Sequence, residues 1–418
     1  MSLIITIIQL VLVLSLVAVV HEFGHFVVAK AFKMTVNEFS IGFGKALWQK
    51  EYKGTVYSFR LLLLGGYVAI EGEDSETEDE NSFSKKHPFK RILVLIAGVT
   101  FNFILAICIM LGINFSSDTL TTKLKDLQPG TVLYEAGLRD GDEITKVGNI
   151  TTHIYQDIAL YDNVENEDVV IEYISKGEEK NVVVKEVVKV KGSIGVYFKS
   201  NAMNKDGTLK PVIDIVEPGN VAESAGLKSS DEIISINDIE VANIGDVIKI
   251  TAANPEKELV IIVIRNGEEV EIKLTPKAVK YVDLGITDVE VVDTTLSFSW
   301  YKSVNTVIRV VDSYVDLFKG KVKLNQMSGI VGVGEMVSKT EGIIELLSLV
   351  ATISLAIGMA NIMPFPPLDG GKIVLVAIEW ISRKKVSQKI ELVLSGIGFV
   401  LLIALTIYVT IKDIIRII

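Results

Sequence analysis

His21-Glu22-Phe23-Gly24-His25 places two imidazoles and a carboxylate within five residues, directly after a run of apolar side chains. On a helix of 3.6 residues per turn, His21 and His25 project about 40° apart, so both rings can reach one ion. Glu22 lies roughly 100° from His21 on the same side, within reach of a metal-bound water without being a ligand. Nitrogen ligands with an open position suit zinc, which can bring the pKa of its bound water to about 7. Glu22 can then take that proton and return it to a leaving amine. The chain has only four histidines, and two of them are in this motif.

Two histidines leave zinc short of a third protein ligand. His87, in Lys85-Lys86-His87-Pro88, and His153 both read as ordinary surface histidines. A carboxylate in a later apolar segment is the better candidate, and Asp369 supplies it. It stands in Asn361-Ile362-Met363-Pro364-Phe365-Pro366-Pro367-Leu368-Asp369-Gly370-Gly371, at the end of a stretch otherwise free of charge. Three prolines there remove backbone donors and break a helix, which membrane depth tolerates only where backbone is buried in protein or lines a cavity.

The segments that must position these groups are apolar. Leu3–Val20, Ile92–Ile113, Leu346–Met363 and Leu392–Ile411 contain no Asp, Glu, Lys or Arg. Each reaches about the 18–20 residues needed to cross ~30 Å of hydrocarbon as a helix. With 418 residues, 49% hydrophobic and 22% charged, the chain concentrates its apolar residues in blocks. A wholly soluble enzyme, a disordered chain and a disulfide-stapled secreted domain are excluded; Cys108, the one cysteine, reads as a small buried hydrophobe. A net charge of −10 and a pI near 5.2 argue against a nucleic-acid partner. Met1-Ser2 carries no positive side chain and no small-x-small cleavage site follows, so the first run reads as a retained helix.

Lys30 and Lys33 follow the first span, Lys85, Lys86, Lys90 and Arg91 precede the second, and Arg383, Lys384, Lys385 and Lys389 lie between the last two. The positive-inside rule therefore places both termini and the long 114–342 segment outside, with residues 30–90 inside. That external segment carries a repeat. Pro129-Gly130…Ala136-Gly137-Leu138…Asp142-Glu143-Ile144 returns as Pro218-Gly219…Ala225-Gly226-Leu227…Asp231-Glu232-Ile233, and Gly177-Glu178-Glu179 returns as Gly267-Glu268-Glu269. Val169–Ile174 and Leu259–Ile264 are β-branched runs bounded by turn residues, so both copies read as β-rich. The pattern resembles the circularly permuted bacterial PDZ domain, which implies binding of an extended peptide at a sheet edge. Trp300, Val304, Val307, Ile308, Val311, Val315 and Phe318 fall at helical spacing, a stripe expected to lie on the membrane surface or a PDZ-like domain. The acidic run Glu71–Glu80 reads as a solvated loop.

His-Glu-x-x-His in a first span with Asn-x-x-Pro-x-Pro-x-Leu-Asp-Gly in a later one resembles the site-2 protease family of intramembrane zinc metalloproteases, in its bacterial RseP-type branch with two PDZ domains. The resemblance covers nearly the whole chain. It implies that His21, His25 and Asp369 ligate zinc, that Glu22 is the base, and that Asn361 holds the substrate backbone. Gly98-Val99-Thr100-Phe101-Asn102-Phe103 resembles the family's Gly-Pro-x-x-Asn-Phe motif, implying a substrate-side role for Asn102. Leu63-Leu64-Gly65-Gly66-Tyr67-Val68 resembles its Pro-Leu-Gly-Gly-Tyr-Val element in a membrane-associated β-hairpin, and Met327-Ser328-Gly329-Ile330 its Ser-Gly-Pro segment. Val99, Leu63 and Ile330 stand where the family has proline.

The expected fold is an α-helical membrane protein with four transmembrane helices, a membrane-associated β-hairpin and two inserted β-rich PDZ-like domains. Its divisions are 1–113, two helices with the hairpin; 118–200 and 205–290, the PDZ-like domains; 291–342, an amphipathic linker; and 343–418, the last two helices. The function implied is regulated intramembrane proteolysis in a bacterial cytoplasmic membrane. Transmembrane substrates such as trimmed anti-sigma factors or remnant signal peptides are the implied partners, with the PDZ-like domains outside and the active site toward the cytoplasm. The alternative is a catalytically idle PDZ-type scaffold, which an intact motif and zinc ligand set argue against. Topology gives a direct test. With Cys108 replaced, a cysteine at Ser230 is expected to react with a membrane-impermeant thiol reagent in intact cells and one at Ser75 is not; the reverse pattern overturns the orientation.

Overall fold

The computed structural model describes residues 3–73, 77–199, 202–204, 207–319, 329–340 and 342–417; Ser75 of the acidic run and Met327-Ser328 lie outside them. The chain forms two compact units, Met1–Asp118 with Asp293–Ile418, and Thr119–Val292.

In the first unit, helix α1 (Leu3–Ala31) carries the apolar run through the histidine motif without interruption. A long hairpin follows, β1 (Val36–Tyr52) and β2 (Thr55–Ile70). It turns on Lys53 and Gly54, both at positive φ (49° and 71°), the backbone that matches strand twist in a two-residue turn. Pairing runs from Tyr52↔Thr55 to Ala46↔Arg60, then from Phe43↔Leu62 to Val36↔Ile70, while Glu38–Ile41 also lie beside Val56–Phe59. The hairpin therefore doubles back on itself. It exposes Leu47, Trp48, Leu61 and Leu64. Its one arginine is neutralised within the sheet: Arg60 donates to Glu38 at 2.7 Å and to the Gly44 carbonyl at 2.6 Å. Helix α2 (Pro88–Phe115) opens with proline at its first turn, and the His87 ring accepts from the Phe89 N–H, which accounts for that histidine as a helix cap.

The second unit holds the repeat. Short helices α3 (Val132–Glu135) and α4 (Tyr155–Ile158) belong to the first copy, α5 (Val221–Ser224) and α6 (Ile244–Ala253) to the second. The shared motif has a local reason. After α3 and α5, Gly137 and Gly226 take φ of 100° and 87°, ending each helix in the left-handed conformation that glycine adopts freely. The next residue, Leu138 or Leu227, drops into the core and its N–H bonds back to Leu133 or Ala222. Asp142 and Asp231 then accept from the Arg139 and Lys228 amides and tie the loop shut.

Strands Thr119–Lys125, Glu143–Val147, Val169–Ser175 and Glu178–Val184 form the first sheet, and Asp288–Val292 joins its edge beside Thr119–Lys125. Strands Glu232–Ile236, Leu259–Arg265 and Glu268–Leu274 form the second. Val188–Ser193 pairs with Lys277–Val282 between them. Leu284 packs in the first core with Leu133 and Ile171, whereas Ile194 and Leu274 pack in the second. The chain thus leaves the first copy, builds the second and returns, crossing the expected 200/205 division.

Back in the first unit, α7 (Leu296–Phe318), α8 (Ile330–Lys339), α9 (Ile343–Asn361), α10 (Asp369–Ser382) and α11 (Gln388–Ile417) complete the fold. Among the described residues, four helices, over Ile4–Ala31, Pro88–Phe115, Ile343–Asn361 and Lys389–Ile415, are long and apolar enough to cross a membrane. Helix α2 is central and packs on α1, α7, α9 and α10. One residue of the α7 stripe, Val307, is buried among the helices. Val307 and Val310 pack with Ala106 and Met110 of α2 and Leu355 of α9, while Ser299 donates to the Leu111 carbonyl and Tyr314 to that of Ala356. Small hydroxyl residues on the neighbouring flank let α7 dock onto helices, and Trp300 and Ile308 of the expected stripe are exposed.

The second repeat also gives a stability test. Asp231 is wholly buried and held by a forked pair of bonds from Arg265, 2.8 Å and 2.7 Å, which raises the guanidinium pKa. Arg265→Met strands that carboxylate, and the expected loss is about 3 kcal/mol, at the low end for a broken buried pair because Arg265 is partly exposed. Native-state proteolysis of the full-length chain measures it, and an unchanged opening free energy refutes it.

Candidate metal centre

The site is built where α1, α2 and the start of α10 meet. The motif helix needs no special device, since α1 is continuous, and its spacing turns both imidazoles to one side. Asp369 arrives differently. Helix α9 ends at Asn361, the proline segment crosses as loop, and α10 begins at Asp369 with Leu368 as its cap. A carboxylate in the first turn of a helix lies in the favourable field of unpaired backbone N–H groups. Gly370 and Gly371 are required by the tightness of the turn: a Cβ on either would collide with backbone of Ile362, Met363 or Phe365.

His21 Nε2 lies 2.9 Å from Asp369 Oδ2, His25 Nε2 lies 3.3 Å from the same oxygen, and the two Nε2 atoms are 3.2 Å apart. Both histidines are 6% exposed. Among the described residues this is the one trio of His, Cys, Asp or Glu placed to hold an ion, its ligand atoms all within 4.8 Å. Glu22 points beside them and accepts the Val68 N–H of β2 at 3.1 Å, so the hairpin fixes the carboxylate next to the site. The ring of Phe23 packs on Phe26, Phe39 and Phe101, fastening hairpin and α2 to the motif helix.

Helix α2 forms the back wall. The Val94 carbonyl accepts from His25 Nδ1 at 2.8 Å, which leaves Nε2 free to face an ion. One turn on, Gly98 is the floor: a Cβ there would stand 2.5 Å from His25 Nε2 and 2.7 Å from His21 Nε2. A further turn on, Asn102 is 0% exposed with its Nδ2 3.4 Å from His21 Nδ1. It faces a histidine, not the open space its expected substrate role calls for. Asn361 is half-buried at the end of α9, at the mouth of the break. His153 stands in the other unit, in the loop before α4.

The donor set fits zinc: two imidazole nitrogens and one carboxylate oxygen, buried, over a floor that no side chain fills. The Gly98 floor and the Val94 carbonyl escaped sequence reasoning. A backbone carbonyl has no side-chain signature, and a glycine in an apolar helix announces only close packing. Gly98→Ala is expected to weaken zinc binding on the order of tenfold or more by displacing both rings, as read by metal analysis of the purified protein. Full occupancy would show that the rings can move aside.

The family model of Peptidase family M50 matches residues 9–405. Regulator of sigma-E protease RseP of Escherichia coli (strain K12) is 28% identical over 429 residues, covering 94% of this chain and 95% of that one. FN1322 of Fusobacterium nucleatum, a protein named as a zinc metalloprotease, is 30% identical over 422 residues, covering 97% of each. Among solved structures, the HtrA3 PDZ domain bound to a phage-derived ligand aligns with 22% of this chain and 92% of that one, at 14% identity and a TM-score of 0.19. The family match begins in α1 ahead of the histidines and ends in α11 beyond Asp369, so both halves of the site fall inside it, and the chain belongs to peptidase family M50, the site-2 proteases, as a zinc metalloprotease of the membrane.

Proposed function

We propose that this intramembrane protease holds zinc through His21 Nε2, His25 Nε2 and Asp369 Oδ2 and cuts peptide bonds in or beside transmembrane segments of other proteins. The convergence of those three atoms within 4.8 Å, with Glu22 alongside, carries the assignment. Zinc there supplies Lewis acidity to the scissile carbonyl and to the attacking water. Glu22 takes the proton of that water and delivers it to the leaving amine. The Val68 amide keeps its carboxylate turned inward meanwhile. Asn361, beside the proline break, holds the substrate backbone. The idle-scaffold alternative requires a site lacking base or ligands, and this chain has both.

In this reading α1, α2, α9 and α11 all cross the membrane, both termini lie outside, and the zinc ligands sit toward the cytoplasmic side. The exposed apolar face of the hairpin contacts lipid, and the edge of β2 beside Glu22 receives an unwound substrate strand. Unwinding is needed because a helical substrate has its amides internally paired. The Thr119–Val292 unit is two nested PDZ-like domains, residues 194–276 set within a first domain of 119–187 and 283–292, on the extracytoplasmic side. Their sheet edges offer sites for peptide ligands. Substrates of this class are single-span proteins already trimmed outside, anti-sigma factors or remnant signal peptides; the relative named for sigma-E regulation supports the first.

Replacing Glu22 by Gln removes the proton carrier and keeps the ligands. Zinc content is expected to stay at the wild-type level while turnover disappears, and mass spectrometry of membranes from cells carrying each form identifies the uncut substrates. Turnover within about tenfold of wild type would sink the assignment of Glu22, since a general base contributes 10²–10⁴-fold.

A further inference from the structure

Two atoms near the zinc ligands are left without a role. Asn102 Oδ1 is buried with no hydrogen-bond partner, while its Nδ2 faces His21 Nδ1 at 3.4 Å. An orphaned buried amide oxygen is expensive and calls for an explanation. His21 supplies one. If Nε2 faces the metal, the ring proton must reside on Nδ1, and Nδ1 becomes a donor. A donor there cannot meet the Nδ2 amine. The two ends of a primary amide are near-isosteric, so a half-turn about χ2 exchanges them without a steric change. Oδ1 then accepts from Nδ1, and both misfits disappear together.

We infer that Asn102 is a positioning residue for the metal: its Oδ1 accepts from His21 Nδ1–H, fixing the tautomer and orientation that present Nε2 to zinc. This rests on the ligand assignment proposed above and revises the substrate role that the Gly-x-x-x-Asn-Phe motif implied. The neighbouring histidine supplies the parallel, because His25 Nδ1 donates to the Val94 carbonyl at 2.8 Å. Val94, Gly98 and Asn102 follow one another at single-turn spacing on α2, so one helix face sets both tautomers and floors the site. Helix α9 in turn fixes Asn102. Ser354 Oγ donates to the Asn102 carbonyl at 2.9 Å, and a Cβ on Gly358 would stand 3.3 Å from the Asn102 Cβ. The side chain is wholly buried and has no open route to a peptide.

The test is zinc affinity, measured by chelator competition on the full-length enzyme in detergent, for wild type, His25→Ala, Asn102→Leu and Asn102→Asp. Leucine keeps the volume and removes the acceptor, and binding is expected to weaken about 10- to 100-fold. Aspartate keeps an acceptor in the same place, and its affinity is expected to match or exceed wild type. Melting of the metal-stripped proteins separates a general loss of packing from a loss at the metal. The inference is overturned if Asn102→Leu binds zinc like wild type, or if both Asn102 variants weaken alike. Should the leucine variant fail to fold, Asn102→Asp decides alone, and a tenfold loss there refutes the acceptor role. If His25→Ala binds zinc like wild type, the ligand assignment itself fails and the inference falls with it.

Discussion

His21 and His25 of α1 can turn both Nε2 atoms toward Asp369 of α10 only where the wall behind them leaves room, and on α2 that room depends on Gly98. A methyl group at that position would occupy the space where the Nε2 atoms of His21 and His25 converge. Gly24 makes the same demand from the other side, since a Cβ on it would strike the Ala97 carbonyl. Between lipid-facing helices there is little hydrophobic drive for association, so close backbone contact through small residues has to supply it. The geometry that makes the site possible is thus also what holds α1 to α2.

Ionisable side chains at this depth are costly unless every polar atom is paired or coordinates a metal. Backbone on two sides of the trio helps to meet that condition. Backbone answers two of the groups, with Val94 C=O at His25 and Val68 N–H at Glu22. The hairpin therefore takes part in the candidate site, because it sets the direction of the Glu22 carboxylate. Phe23, lodged among Phe26, Phe39 and Phe101, fixes the hairpin and α2 to the residues on either side of Glu22. Substrate pairing along β2 and orientation of the base would then be properties of one strand.

The groups that converge at the candidate site were legible because they are side chains at fixed helical spacing. His21, Glu22 and His25 needed only the 3.6-residue period, and Asp369 stood out as the one charge ending a proline-broken apolar run. The long apolar helices were legible by length and absence of charge. The nesting of the repeat was not. Residues 283–292 return to pair with Thr119–Lys125, and a strand's partner is set by long-range hydrogen bonding that leaves no local mark. The docking face of helix α7 was hidden for a related reason. Its apolar period says which residues want burial, yet Ser299 and Ser303 on the docking face look polar until the neighbouring helix is seen. The Asn102 assignment came from a motif, whereas its surroundings, a histidine nitrogen and no solvent, could be read only in three dimensions.

The break between α9 and α10 explains how Asp369 reaches the candidate site from so far along the chain. An unbroken helix through Asn361–Gly371 would leave Asp369 in a helix interior, without the unpaired N–H groups that favour a carboxylate at a first turn. Interrupting the helix at Pro364, Pro366 and Pro367 creates a new N-terminus, and Asp369 occupies its first turn. The interruption frees backbone groups that lipid cannot satisfy, so the loop must be covered by protein. Gly370 and Gly371 fold α10 tightly against Ile362 and Phe365, and α11 closes over the loop at Gly398, where a Cβ would collide with the Pro366 carbonyl. The last helix therefore packs over the break that carries Asp369 without adding a side chain to the trio.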